Sequence, residues 1–136
     1  MGLDMYAYTC DAEDIGDQQV DIKIYNEDGS HAVANLDREF AYWRKFNHLH
    51  GWMNKLYDKK GGESPSFNCD TVRLMPEDID VLESLASLKA LPATQGFFFG
   101  QDDAFSDDDK AEVLDFVQKS RTAFSEGKAV IYNSWW

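Results

Sequence analysis

The stretch AYWRKFNHLHGWM, residues 41–53, gathers the side chains of this chain best suited to chemistry. It holds two imidazoles (His48, His50), an amide (Asn47), two cations (Arg44, Lys45) and the indole of Trp43. An imidazole titrating near neutrality donates, accepts or shuttles a proton, and a neighbouring amide fixes its tautomer. Read as a helix advancing about 100° per residue, the stretch sorts into faces. With Tyr42 at zero, Phe46, Leu49, Met53, Leu56 and Tyr57 fall within roughly 60° and make a core stripe. Trp43, Asn47, His50 and Asn54 follow between roughly 80° and 140°, immediately beside that core. Arg44, His48 and Lys55 lie towards the opposite side, where water is expected. The two histidines diverge by about 200°, which argues against a shared metal. His50 is therefore the candidate for proton transfer, competing with a plain role as a hydrogen-bonded core histidine. Trp43, Arg44 and Asn47 are candidate ligand-binding residues, with Arg44 steering an anion.

Two further segments contribute to the same expected pocket. In LPATQGFFFG, residues 91–100, a strand would point Phe97 and Phe99 one way and Phe98 the other, which suits a central position in a sheet. Its flanking Gly96 allows a ligand or another backbone to come close. The segment lacks the lysine and spacing of a phosphate loop. IYNSWW, residues 131–136, brings Ser134, and its two tryptophans must face opposite sides of a strand. Gly96, Phe98 and Ser134 thus complete the candidate ligand-binding set around His50.

Other chemistry is not supported. GQDDAFSDDDK, residues 100–110, holds five aspartates, but their spacing does not match an EF-hand loop. Asp107, Asp108 and Asp109 suit the first turn of a helix instead. The two cysteines, Cys10 and Cys69, form no C-x-x-C pair, so neither a disulfide framework nor a thiolate zinc site is expected. No nucleophile elbow or Cys/His dyad is legible. No metal and no cofactor is assigned.

These residues need elements to position them. The chain of 136 residues fits one domain, 1–136. Alternation predicts a strand over 3–9 and another over 20–24. Asp28-Gly29 is a turn that would lead a hairpin into 31–34. The periodicity above predicts the longest helix, 36–58, with Asn35 as its N-cap and Gly61-Gly62 beyond its end. A short strand over 71–75 precedes Pro76, which suits the first position of a helix running to about residue 90. Ser106-x-x-Asp109 reads as a capping box for a third helix, with Leu114, Val117, Arg121 and Phe124 as its stripe. Gly127 would end it, and 128–136 would be the last strand. The expected class is α+β, a mixed or antiparallel sheet of about four or five strands packed with three helices.

The charge narrows the partners. Net charge is −12, from 25 acids against 13 bases, and 43% of residues are hydrophobic. Such a surface repels phosphate backbones and anionic headgroups, so neither nucleic acid nor membrane is an expected partner. No apolar run approaches the ~18 residues that span a bilayer, and no secretory signal is legible.

Four segments, taken together, resemble one family. They are GLDMY near the start, YWRK-x-N-x-x-H-x-W, the Leu-Pro to Gly-Phe-Phe-Phe-Gly segment, and the closing Tyr-x-Ser-Trp. The chain resembles, over nearly its whole length, a family of small tailed-phage proteins often labelled phosphoglycerate kinase by automated transfer. The resemblance implies a phage or prophage origin and action in the host bacterial cytoplasm, and it brings no established activity. The kinase label fails physically, because that enzyme needs two lobes closing over two substrates. The shared pattern falls on Tyr42, Trp43, Arg44, Lys45, Asn47, His50 and Trp52. Two functions follow as expectations. One is a phage accessory protein binding a small metabolite in the polar pocket beside the long helix. The other is an acidic modulator that binds a host protein through its negative surface and the Trp135-Trp136 end.

Overall fold

The computed structural model describes residues 3–24, 26–30, 33, 35–91 and 105–136. The closing segment alternates side chains that are buried on both sides, Val130 and Tyr132 against Ala129 and Ile131. Such a strand must be interior, and β4 (Lys128–Trp135) lies between β1 (Asp4–Asp11) and β3 (Thr71–Leu74). The order is β2-β1-β4-β3, with β2 (Asp37–Arg44) outermost and every pairing antiparallel. The expected α+β class is what the chain adopts, with one four-stranded sheet. One face carries α2 (Asn47–Lys59), α3 (Pro76–Ser87) and α4 (Asp107–Ser125), and its core includes Met5, Leu49, Met53, Leu74, Leu82, Phe116 and Tyr132. The other is partly covered by the single turn α1 (Ala12–Ile15) and by Ile22, Ile24, Val33 and Leu36, over a smaller core that includes Tyr8, Cys10, Ile15 and Ile131.

The expected helix over 36–58 is corrected. Residues Asp37–Arg44 form a strand, and α2 begins only at Asn47. The sequence DREFAYWR carries Phe, Tyr and Trp, which favour strands. Pairing Met5 with Trp43 and Ala7 with Ala41 satisfies its backbone against β1 and buries Trp43. The break is Lys45, at φ +56°, whose amide donates to the Leu3 carbonyl at 2.8 Å. Asn35 is not a helix cap. It sits at φ +54° and its side-chain amide donates to Asp11 Oδ2 at 2.8 Å. Between Ala7 and Thr9 the β2 register slips. A slip of this kind re-aims side chains, and Phe40 packs against Phe116 of α4 at 6.2 Å between ring centroids.

The local stop signals behave as their chemistry demands. Gly61 takes φ +98°, its amide donating to Asp58 and that of Gly62 to Tyr57, a Schellman closure of α2. Ser106 Oγ accepts from the Asp109 amide while Asp109 Oδ2 accepts from the Ser106 amide, the expected capping box of α4. The α4 stripe is rotated from the expected one: Val113, Phe116, Val117, Ser120 and Ala123 are buried, and Arg121 turns to α3. Residues 20–24 are not a strand. Ile22 and Ile24 are buried in alternation with exposed Lys23, but only Val20 bridges, to Val72 of β3. The turn is present, with Asn26 accepting from Gly29 at 3.0 Å. The expected return arm includes residues 31, 32 and 34, which lie outside the described residues.

Candidate functional site

In the second residue pair of α2, the helix turns His50 onto the sheet. Its Nδ1 lies 2.7 Å from the Tyr132 hydroxyl of β4, and its ring stands 5.4 Å from that of Phe67. The imidazole is 1% exposed. Burial costs the charged form its hydration, and the pKa falls from 6.5 to about 4, so His50 is neutral at pH 7. Tyr132 is fully buried and its phenol is pushed well above the ordinary range, first by burial. Ser134, two residues along the same face of β4, donates to the Phe67 carbonyl at 3.3 Å. His50 and Ser134 are thus brought together around Phe67 and Tyr132.

The other candidates scatter. Asn47 opens α2, one turn before His50, and is 3% exposed. Trp43 lies on β2, where Met5 of β1 separates it in register from Ser134. Its ring meets Phe116 edge-on at 4.9 Å. Arg44 is the next residue of that strand and so points to the opposite face, 63% exposed and 3.9 Å from Asp4. It does not approach His50. Gly96 and Phe98 lie outside the described residues. His48, expected in water, is buried, with its ring 5.5 Å from Phe105. Among the described residues, no group of three His, Cys, Asp or Glu is placed to hold a metal ion. No described helix is long and apolar enough to cross a membrane.

A second cluster was not anticipated. Lys60, the last residue before the Gly61 turn, sends Nζ to Asp78 Oδ2 (2.6 Å), Gln19 Oε1 (2.9 Å) and the Arg73 carbonyl (2.6 Å). Asp78 Oδ2 also accepts from the Met75 amide at the start of α3. The ion pair is nearly enclosed, at 13% and 12% side-chain exposure, and it ties the end of α2 to the start of α3. Three acceptors placed around one ammonium satisfy its buried charge. This is a structural knot.

The outer face of the sheet was also missed, and it is the more open region. Opposed residues share a face, so Arg44, Asp4 and Trp135 stand in one row, and Tyr42, Tyr6 and Asn133 in the next. Trp135 is 61% and Tyr42 55% exposed. Asp4 Oδ1 accepts from the Tyr42 hydroxyl at 2.7 Å, and the Tyr42 and Tyr6 rings lie 5.2 Å apart. Trp136 takes the other side, partly buried against the helix-side core, as strand alternation requires. The signal for this row was present in the alternation of β4, but it needed β2 to be recognised as a strand. Along the other side of β2, against α4, runs a groove of about 520 Å³ whose lining includes Asp37, Glu39, Asp115 and Glu126.

Comparison of the chain with family models, with curated proteins and with solved structures gives no match in any of the three.

Proposed function

We propose that this protein acts by docking on a partner protein through the outer face of its sheet. The observation that carries the reading is the row formed by Trp135, Asp4 and Arg44 beside Tyr42 and Tyr6, with both Trp135 and Tyr42 more than half exposed. Trp, Tyr and Arg dominate the energetics of protein interfaces, because rigid rings bury much area and guanidinium pairs directionally. Asp4 already orients the Tyr42 hydroxyl, so less freedom is lost when a partner closes over it. The −12 charge favours approach of a basic partner and repels anionic surfaces. On the resemblance to the tailed-phage family, that partner is a bacterial host protein and the setting is the host cytoplasm. The test is capture from bacterial lysate by the intact chain, by Trp135→Ala and by Tyr42→Ala. Selective loss of one captured protein in both variants supports the reading. Equal capture by all three contradicts it.

A second reading keeps a small-molecule site beside α2. The buried line of His50, Tyr132 and Ser134, one turn from Asn47, supports it, since a few fixed polar groups in an apolar surround orient a bound metabolite. Gly96 and Phe98 belong to this proposal, and His50 would be its proton-transfer residue. A thermal-shift screen against metabolites and divalent ions, run beside His50→Ala, decides it. A ligand shift that vanishes in the variant supports the site. A variant that is merely less stable, with no shift in the intact chain, assigns His50 to the core.

A further inference from the structure

Where residues 22–24 run along the outer face, they leave a cavity of about 360 Å³ against β1, β2 and β4. Its buried members, Tyr8, Ile22 and Ile24, give it an apolar wall. Its exposed members include two cations, Lys23 and Arg38, and among the described residues no carboxylate lines it. That is against the trend of the molecule, in which acids outnumber bases by 25 to 13. Of the acids beside its lining residues in sequence, Asp37 and Glu39, on either side of Arg38, line the groove against α4 instead, and Asp21 accepts from the Tyr57 hydroxyl at 2.9 Å. Arg38 is set in place over the Tyr8 ring, 5.7 Å from its centroid. Thr71, whose Oγ1 accepts from the Ile22 amide at 2.7 Å, and Asn133 add hydrogen-bonding groups.

From this arrangement we infer that the cavity binds a small organic anion, its oxyanion head held between Lys23 and Arg38 and its apolar body against Ile22, Ile24 and Tyr8. The volume is within the range of small-molecule sites, and the mixture of an apolar wall with a few charged groups is their usual chemistry. A guanidinium pairs with a carboxylate or phosphate in bidentate fashion, while an ammonium adds a point charge. Elsewhere the surface repels anions, so local charge supplies the selectivity. The site lies on the face opposite His50; it shares the outer face and Asn133 with the docking row, but not Trp135, Tyr42, Asp4 or Arg44.

Cys69 lines the same cavity and is exposed, whereas Cys10 is buried, so one thiol reports on occupancy. The experiment treats the full chain with N-ethylmaleimide and follows Cys69 by mass, alone and with phenyl phosphate, benzoate or benzyl alcohol. Melting temperature is recorded in parallel. Phenyl phosphate or benzoate, and not benzyl alcohol, should slow labelling at least threefold or raise the melting temperature. Both effects should disappear in Lys23→Gln/Arg38→Gln. Both replaced residues are exposed, so the fold is retained. A larger effect from phenyl phosphate than from benzoate assigns the head to a phosphoryl group, and the reverse to a carboxylate. The inference is overturned if neither anion has either effect, if benzyl alcohol matches them, or if the double variant responds as the intact chain does.

Discussion

His50 and Tyr132, 82 positions apart in sequence, share a 2.7 Å hydrogen bond in the middle of the core, and both are neutral at pH 7. This pairing gives the fold a distinct acid sensitivity. The folded His50 binds a proton only near pH 4, whereas in the unfolded chain it does so near 6.5. The unfolded state therefore holds more protons between these values. Stability from the neutral ring is complete above pH 6.5 and is lost as pH falls towards 4. The gap is worth roughly 3 kcal/mol. Urea denaturation of the intact chain and of His50→Gln at pH 7, 5.5 and 4.5 checks it. The variant should be less stable at pH 7 and lose less on acidification, and parallel losses would refute the assignment.

Asp78→Asn and Lys60→Met should each destabilise by roughly 2–4 kcal/mol, because each leaves its former partner charged and nearly enclosed. Changing both together should cost less than the sum, since no orphan charge is left. A denaturation double-mutant cycle reads the coupling, and strict additivity would dismiss the knot.

Gly62 is required for a reason other than backbone freedom. A Cβ there would stand 2.2 Å from the Tyr57 ring. That ring is wholly buried, tilted against Phe67 at 4.8 Å between centroids and held by Asp21. Gly62→Ala should therefore cost about 1–3 kcal/mol by overpacking, visible as a lowered denaturation midpoint. Gly61→Ala meets no neighbour but is strained by its φ of +98°.

Lys89 is the opposite case. It closes α3 at φ +51°, its amide donating to Ala86 and that of Ala90 to Leu85. Glycine adopts this conformation without the side-chain penalty. Lys89→Gly should raise stability by roughly 0.5–1 kcal/mol, despite the loss of an exposed ion pair with Asp107. A fall in melting temperature would show that the ion pair outweighs the strain.

What was legible in the sequence follows from how local each signal is. Pro76, the Ser106/Asp109 box, Gly61-Gly62 and Gly127 act through their own backbone, and the elements they bound appear where expected. Residues 37–44 do not, because the helical spacing of Tyr42, Phe46, Leu49 and Met53 runs through Lys45, where the chain actually turns. That turn is held by the Leu3 carbonyl, a tertiary contact with no local mark. The burial of His48 likewise depends on Phe105, distant in sequence. For the site, the ranking of His50 as core-adjacent stands, since α2 does include it. Its partners Tyr132 and Phe67 come from other elements, and no spacing within the helix points to them. Trp43 and Arg44 were placed on a helix, and their separation onto two faces follows from the strand.

The central claim, that the row of Trp135, Tyr42 and Arg44 is a docking face, is tested most directly by site-specific photo-crosslinking in bacterial lysate. A photoreactive amino acid would replace Tyr42 in one chain, Trp135 in a second and, as a control, exposed Ser84 of α3 in a third. Positions 42 and 135 should capture the same protein, position 84 should not, and Arg44→Ala should weaken the capture. Crosslinking no greater from 42 and 135 than from 84 would contradict the account.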